Sequence, residues 1–311
     1  MKGGVPTAVI GVCTFQRPRM LGRCLGSLCE MDNPANVAVS VIVVDNDREG
    51  SAWPVVSGVQ SDASCPVSVF YETEERRGIP FARNRLLARA QEMDADYVAF
   101  IDDDEYVDGC WFTELWSHLT ASGADVVRGP VLLRYPSSAP DWVRENRIFE
   151  RKNAPTGTRF QSAATNNVLF NARKIVCDWG IRFDEAFGLM GGSDTDFFTR
   201  AYARGAVIEH VSTAFVYENF ESDRLSLSYF MKRTFRAANE PAKYRNCSVL
   251  RKVKLLLRAA KNLFLHGLLL PVSFAHGLVG VAPRIAAIAT ASGRILALVG
   301  IRFTWKEYSR T

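Results

Sequence analysis

The apolar run Tyr97-Val98-Ala99-Phe100-Ile101 stops abruptly in Asp102-Asp103-Asp104-Glu105. A buried strand that ends in consecutive carboxylates concentrates mutually repelling charge at a sheet edge, and a cation relieves that repulsion. Oxygen donors of this kind select a hard divalent ion, Mg2+ or Mn2+. Side chains alternate along an extended segment, so Asp102 and Asp104 are expected to share one ion while Asp103 points elsewhere. The plainer alternative is an acidic turn that caps the helix after Gly109.

A second acidic segment reads Gly191-Gly192-Ser193-Asp194-Thr195-Asp196. Glycines let a substrate approach the backbone, and a carboxylate at a helix start is held by free N–H groups. Alone, such an aspartate is an N-cap. Its company argues for more: Thr14-Phe15-Gln16-Arg17-Pro18, Asp45-Asn46-Asp47, and a basic segment that ends in Phe81-Ala82-Arg83-Asn84. Each lies at the carboxyl side of an expected strand or at a helix start, where open α/β sheets bind nucleotides.

The elements that must position these groups are legible from periodicity. Residues 8–13, 39–44, 67–71 and 97–101 are apolar and β-rich, whereas Leu21, Cys24, Leu25 and Leu28, then Ala82, Leu86, Ala90 and Met93, follow helical spacing. Strands that are apolar throughout and alternate with helices predict a mainly parallel sheet covered on both faces. Further strands are expected at 124–133, 165–170 and 207–211, with a helix at 194–204. The Pro- and charge-rich stretch 136–157 is expected to be either a mobile loop over the site or a connector. No GxGxxG follows the first strand, which excludes the ordinary dinucleotide fingerprint.

The chain has 311 residues, 48% hydrophobic and 23% charged, enough for one catalytic domain plus an appendage. Its net charge of +5 suits anionic phosphates or a membrane surface, and nucleic acid is not expected as a partner. Seven cysteines without a CxxC pair predict reduced thiols in a reducing compartment. The first fifteen residues are expected to form a strand rather than a signal peptide. From Leu250 the character changes: Leu250, Val253, Leu257, Ala260 and Phe264 share a helical face, with Arg251, Lys252, Lys254, Arg258 and Lys261 around it. This is the pattern of a basic interfacial helix. Residues 263–282 then lack formal charge, and 285–301 are apolar apart from Arg294, so spans, a shallow hairpin or an oligomer interface are all compatible. The boundaries predicted are a catalytic domain over 1–240 and a membrane-associating helical region over 241–311.

Taken together, the pieces resemble family-2 glycosyltransferases of the GT-A fold over residues 5–240. They occur in the family's order: T-[YF]-x-R at Thr14, V-D-N at Asp45, G-x-x-x-A-R-N at Arg83, D-x-D at Asp102, and G-x-x-D-x-D at Asp194. Within the family, Asn166-Asn167-Val168-Leu169-Phe170 and the Arg224, Arg233, Arg236 series are similar to succinoglycan-type exopolysaccharide β-glucosyltransferases. The resemblance implies an inverting transferase that uses a UDP-sugar donor and Mn2+ or Mg2+. By the same resemblance it is expected to work on a lipid-linked glycan at the cytoplasmic face of a bacterial inner membrane. By that resemblance Thr14, Phe15 and Arg17 border the nucleoside, Asp45 accepts from uracil N3–H, and Arg83 approaches the nucleotide. Asp102, Asp103 and Asp104 belong to the metal-diphosphate site, with Asp102 and Asp104 as ligands, and Asp194 is the catalytic base. Ser193 stands where many members have Glu, and Tyr217-Glu218 where a His often follows the last core strand. The rivals are a sugar nucleotidyltransferase, whose N-terminal glycine- and lysine-rich loop is missing, and a non-catalytic membrane scaffold.

Overall fold

A computed structural model describes residues 4–146, 149–150, 152–189, 191–220, 225–239, 244, 247–301 and 303. Arg224 of the late arginine series lies outside them. The chain divides into two compact units, the first from the described parts of Met1–Leu132 and Arg151–Glu218, the second from those of Leu133–Glu150 and Asn219–Lys306.

The first unit is the expected α/β sheet. Strands β1 (Thr7–Thr14), β2 (Ala38–Asp45), β3 (Ser68–Thr73) and β4 (Tyr97–Asp102) alternate with helices α1 (Pro18–Glu30), α2 (Trp53–Gln60) and α3 (Ile79–Glu92). After β4 come β5 (Glu105–Val107), α4 (Trp111–Ser122), β6 (Val126–Arg128) and β7 (Val131–Arg134). Helix α5 (Asp141–Asn146) belongs to the second unit, and β8 (Arg159–Phe160), β9 (Val168–Asn171), α6 (Ser193–Ala203), β10 (Ile208–His210) and β11 (Val216–Asn219) follow. The large sheet has the order β3-β2-β1-β4-β9-β6-β10-β8. β3, β2, β1 and β4 run parallel, and β9 enters antiparallel between β4 and β6.

Alternation along the strands feeds two cores. Ala8, Ile10 and Val12 pack with Leu21, Leu25, Leu28, Trp111 and Phe112 on one face. Val9, Val44, Phe100 and Phe170 pack with Leu86, Phe197 and Phe198 on the other. Gly11 is required in β1 because a Cβ there would sit 2.3 Å from Leu86 Cδ1, so the missing side chain lets α3 lie against the sheet.

Three sequence expectations are corrected or refined. Residues 124–133 form two strands rather than one, because Gly129 approaches the Ala214 carbonyl so closely that a Cβ would lie 2.2 Å from it, and Pro130 has no N–H for the ladder. The stretch 136–157, expected as a mobile loop or a connector, carries a short helix in its described part: α5 buries Trp142 and Val143 with Phe149, Phe220 and Phe230. Cys29 on α1 and Cys65 before β3 form a disulfide. At a separation of 36 residues no local spacing announces it, while Cys13, Cys24, Cys110, Cys177 and Cys247 are free thiols.

The second unit is helical, with α7 (Leu227–Ala238), α8 (Val249–Ser273) and α9 (Gly277–Leu298). α8 and α9 form a hairpin through a turn at Phe274–His276, closed by Gly277 at φ +57°. Gly293 lets α9 approach α7, since a Cβ there would meet the Phe235 carbonyl at 2.4 Å. Among the described residues, Val249–Leu298 is the one helical stretch long and apolar enough, by length and composition, to cross a membrane.

Candidate active site

The carboxyl ends of three adjacent strands bring the first candidate residues together. Thr14 on β1 is the register partner of Asp45 on β2, and Cys13 is that of Asp102 on β4. Parallel pairing therefore turns residues far apart in sequence into neighbours at one sheet edge.

The three aspartates at the end of β4 have different surroundings, and Asp103 and Asp104 lie in a turn rather than on the extended strand. Asp103 is buried, and its Oδ2 accepts from Thr14 Oγ1 at 2.7 Å while Oδ1 accepts from Arg17 Nη1 at 3.2 Å. It ties the end of β1 to the end of β4. Arg17 also donates from Nη1 to Asp104 Oδ2 at 3.2 Å, so its guanidinium lies among the carboxylates. Burial pushes Asp102 up to about 7, with Arg83 opposing and Asp104, Asp103 and Asp194 adding to the rise. Burial and then Asp104 push Asp103 up to about 6 against Arg17 and the Thr14 hydroxyl.

Glu105, which the spacing argument left without a role, is buried beneath this edge. Its Oε2 accepts from Asp102 N at 3.0 Å and its Oε1 from Asn166 Nδ2 at 3.1 Å. Burial, with Asp102 and Asp104 close by, holds its carboxyl well above the usual range.

Asp45 has a structural role besides the one expected of it. It is 0% exposed, and its Oδ2 accepts from Ala52 N at 2.7 Å and Tyr71 Oη at 3.0 Å while Oδ1 accepts from Asp47 N at 3.1 Å. A carboxylate enclosed in this way organises the loop after β2. Asn46 fixes the next loop, donating from Nδ2 to the carbonyls of Glu74 and Arg76 and accepting from Gly78 N. Above these loops the guanidinium of Arg77 stacks 4.4 Å from the ring centroid of Phe15, an apolar and cationic surface suited to a base and its phosphates.

Helix α3 locks the second acidic segment onto this edge. Asn84 brackets Phe183, donating to its carbonyl and accepting from its N–H, both at 2.9 Å. Arg83 donates to Ser193 Oγ at 3.0 Å and lies 5.5 Å from the Phe183 ring centroid. Gly192, at φ +103°, opens α6, and Asp194 accepts from Thr195 N at 2.8 Å in the first turn while remaining half-buried. Asp196 is buried and ion-paired with Arg200 at 2.8 Å, so the two aspartates of this segment face different surroundings. Arg233, from the later arginine series, stacks instead on Phe149 and Phe220 within the second unit.

Among the described residues no three His, Cys, Asp or Glu side chains form a metal-holding group. The residues nevertheless fit a divalent ion, because Asp102 and Asp104 supply hard oxygen donors beside the carboxylates of Asp103 and Glu105 at one sheet edge. Two carboxylates completed by substrate phosphates and water are the ordinary donor set for Mg2+.

Against known proteins, residues 9–182 match the profile described as glycosyl transferase family 2. Succinoglycan biosynthesis protein ExoM of Rhizobium meliloti (strain 1021) is 36% identical over 228 residues, which are 73% of this chain and 72% of that protein. Among solved structures, S. aureus TarS 1-349 in complex with UDP is similar at a TM-score of 0.54 and 15% identity, over 98% of this chain and 93% of that one. GalNAc-T7 with UDP, GalNAc and Mn2+ is similar at 0.54 and 14% identity, over 78% of this chain and 52% of that one. The chain also spans 55% of the longer TarS crystal chain, at a TM-score of 0.55. At these identities the solved structures show a shared GT-A fold.

Proposed function

The chain belongs to glycosyl transferase family 2, and from that premise we propose that it transfers a hexose, glucose in the first instance, from a UDP-sugar to a lipid-linked oligosaccharide with inversion at the anomeric carbon. The setting is bacterial exopolysaccharide or related cell-surface glycan synthesis, at the cytoplasmic face of the inner membrane. Membership makes the chain a glycosyltransferase and sets aside nucleotidyl transfer and the non-catalytic scaffold.

One observation carries the reading. Asp194, at the start of α6, is close enough to raise the protonation range of Asp102 at the end of β4. Arg83 on α3 links the two acidic segments, since its charge acts on Asp102 and its guanidinium donates to Ser193 Oγ, beside Asp194, at 3.0 Å. In transfer, Asp194 accepts the proton of the acceptor hydroxyl as its oxygen bonds to the anomeric carbon, while the bond from that carbon to the diphosphate breaks. Attack opposite the leaving group inverts the centre. A divalent ion at Asp102 and Asp104, when bound, supplies Lewis acidity toward the diphosphate. Arg83 adds fixed positive charge, and Asp103 keeps the ends of β1 and β4 in register through Thr14 and Arg17. The Phe15 and Arg77 pair borders the nucleoside.

The UDP part of the reading draws on the TarS and GalNAc-T7 complexes, and the exopolysaccharide part on the ExoM relative. Thermal unfolding with a panel of UDP-sugars, with Mn2+ or with EDTA, tests the donor, since a ligand of the native state raises the midpoint by mass action. UDP-glucose with Mn2+ is expected to give the largest rise. No rise with any UDP-sugar in the presence of metal would overturn the donor class, and an α-linked product from an α-linked donor would overturn inversion.

A further inference from the structure

We infer that α8 lies flat in the interface of one anionic lipid leaflet, with its outward side chains in the lipid and the helix axis in the membrane plane. This deepens the membrane part of the reading above, which leaves open whether the C-terminal helices span, embed or pair with a second copy.

The side chains of α8 sort into two opposite faces. Ala259 and Ser273 are buried on the side that meets α9. On the far side, Leu250, Leu257, Phe264, Leu268 and Val272 are 66%, 65%, 74%, 64% and 70% exposed. Their spacing makes one apolar stripe over the whole helix, about 37 Å at 1.5 Å per residue. A stripe of this length left open to water is unusual on a soluble surface and marks an interaction site.

Charge selects the occupant. Arg251 and Arg258 flank the stripe, Lys254 and Lys261 fall at its margin, all four are exposed, and no acidic residue occurs anywhere from 249 to 298. An identical copy would bring the same cations against these, which repels. An anionic headgroup layer neutralises them while the stripe enters the acyl boundary.

The rest of the unit selects the orientation. A spanning hairpin would carry its turn, Phe274–His276, across the hydrocarbon. Immediately after that turn, Val279 accepts through its carbonyl from Asn146 Nδ2 at 3.0 Å, and Ala282 packs with Trp142. These contacts fasten α5, with exposed Asp141, Arg144 and Glu145, beside the turn. Insertion by the turn would drag those charges into hydrocarbon, which membranes strongly oppose. Laid flat, α8 faces the lipid along its full length with α9 behind it.

The test uses the full chain with vesicles of phosphatidylcholine alone and of phosphatidylcholine with phosphatidylglycerol at about seven to three. Flotation is expected with the anionic vesicles and to fall at least about tenfold for L257D/F264D. It is also expected to lose its dependence on phosphatidylglycerol for R251E/K254E. Depth is then measured by quenching with lipids brominated near the headgroup or near the bilayer centre. Leu250→Trp and Phe264→Trp are each compared with the unsubstituted chain, and the second site lies about 21 Å along the helix from the first, near its middle, where a spanning helix would place it deep in the hydrocarbon. Equal profiles at both, strongest for the shallow bromine, are expected of a flat helix. Flotation with unequal depths overturns the flat orientation but leaves membrane association standing. Failure to float with either vesicle, with L257D/F264D converting a dimer to a monomer in sedimentation, overturns both and makes the stripe a contact between copies. UDP-sugar binding in the same preparations shows separately whether the donor assignment holds.

Discussion

The two acidic segments of the site, 102–105 after β4 and 193–196 at the start of α6, look alike in sequence and are built differently. After β4 the carboxylates are knitted into the sheet: Asp103 holds Thr14 and Arg17, and Glu105 holds the Asp102 amide from below. At α6 the segment is held from outside, by Asn84 on Phe183 and Arg83 on Ser193, and Asp194 itself takes a bond from the adjacent Thr195 amide. Each segment has one buried aspartate with a structural partner, Asp103 with Arg17 and Asp196 with Arg200. The difference suits the two tasks proposed: a diphosphate and its cation need a rigid, pre-shaped anionic edge, and a base must meet an acceptor that arrives from solvent.

The comparison breaks most visibly at the strand end. Asp104→Asn is expected to remove metal-dependent UDP-sugar binding measured by calorimetry and to slow transfer about 10³-fold, the equivalent of several kcal/mol of charge stabilisation. UDP affinity that is the same with Mn2+ and with EDTA in the unsubstituted protein would take the cation out of binding. At the helix start the expectation is narrower. Asp194→Asn keeps the side chain's volume and its ability to accept from Thr195, but an amide does not take a proton. Transfer falls at least about 10²-fold while UDP-sugar affinity and the unfolding midpoint stay near those of the unsubstituted chain. Loss of donor binding and stability together would make Asp194 a cap.

The large sheet was legible because its strands are apolar on both faces and its helices keep a clean period, so β1 to β4 and α6 fall within a residue or two of their expected bounds. The strand-end residues were legible as a set because a parallel sheet collects its carboxyl ends. The partners of each residue were not. Nothing in the V-D-N spacing reveals that Tyr71, from the next strand, will cover Asp45, since that contact depends on the register of β2 with β3. The Cys29–Cys65 bridge is hidden for the same reason, since it depends on how the segment before β3 meets α1. Gly129-Pro130 was a local signal in plain view, and a long apolar window outweighed it.

Smaller effects separate the structural aspartates from the reactive ones. Asp103→Asn weakens charge-assisted bonds to Thr14 and Arg17 and should cost about 2 kcal/mol in denaturant unfolding, with transfer by the folded fraction reduced less than tenfold. Asp104→Asn should cost less stability, because its carboxylate is more exposed and is held by Arg17 at 3.2 Å.

The smallest effect is expected at Asp196, and it is the one that tests which aspartate is the base. Its carboxylate pairs with Arg200 four residues on, across one turn of α6, and Arg200 also donates from Nη2 to the Arg182 carbonyl at 2.6 Å. An asparagine at 196 still offers an oxygen to Arg200 Nε, and the Arg182 bond keeps the guanidinium in place, so the loss is that of a partly exposed ion pair, about 1 kcal/mol. Asp196 is buried and paired with Arg200, so Asp196→Asn should keep transfer within about threefold of the unsubstituted enzyme. Matched assays of the two asparagine variants decide the matter. If Asp196→Asn abolishes transfer while Asp194→Asn keeps more than about a tenth of it, the proton goes to the buried aspartate, and α6 must then open at Arg200 during catalysis.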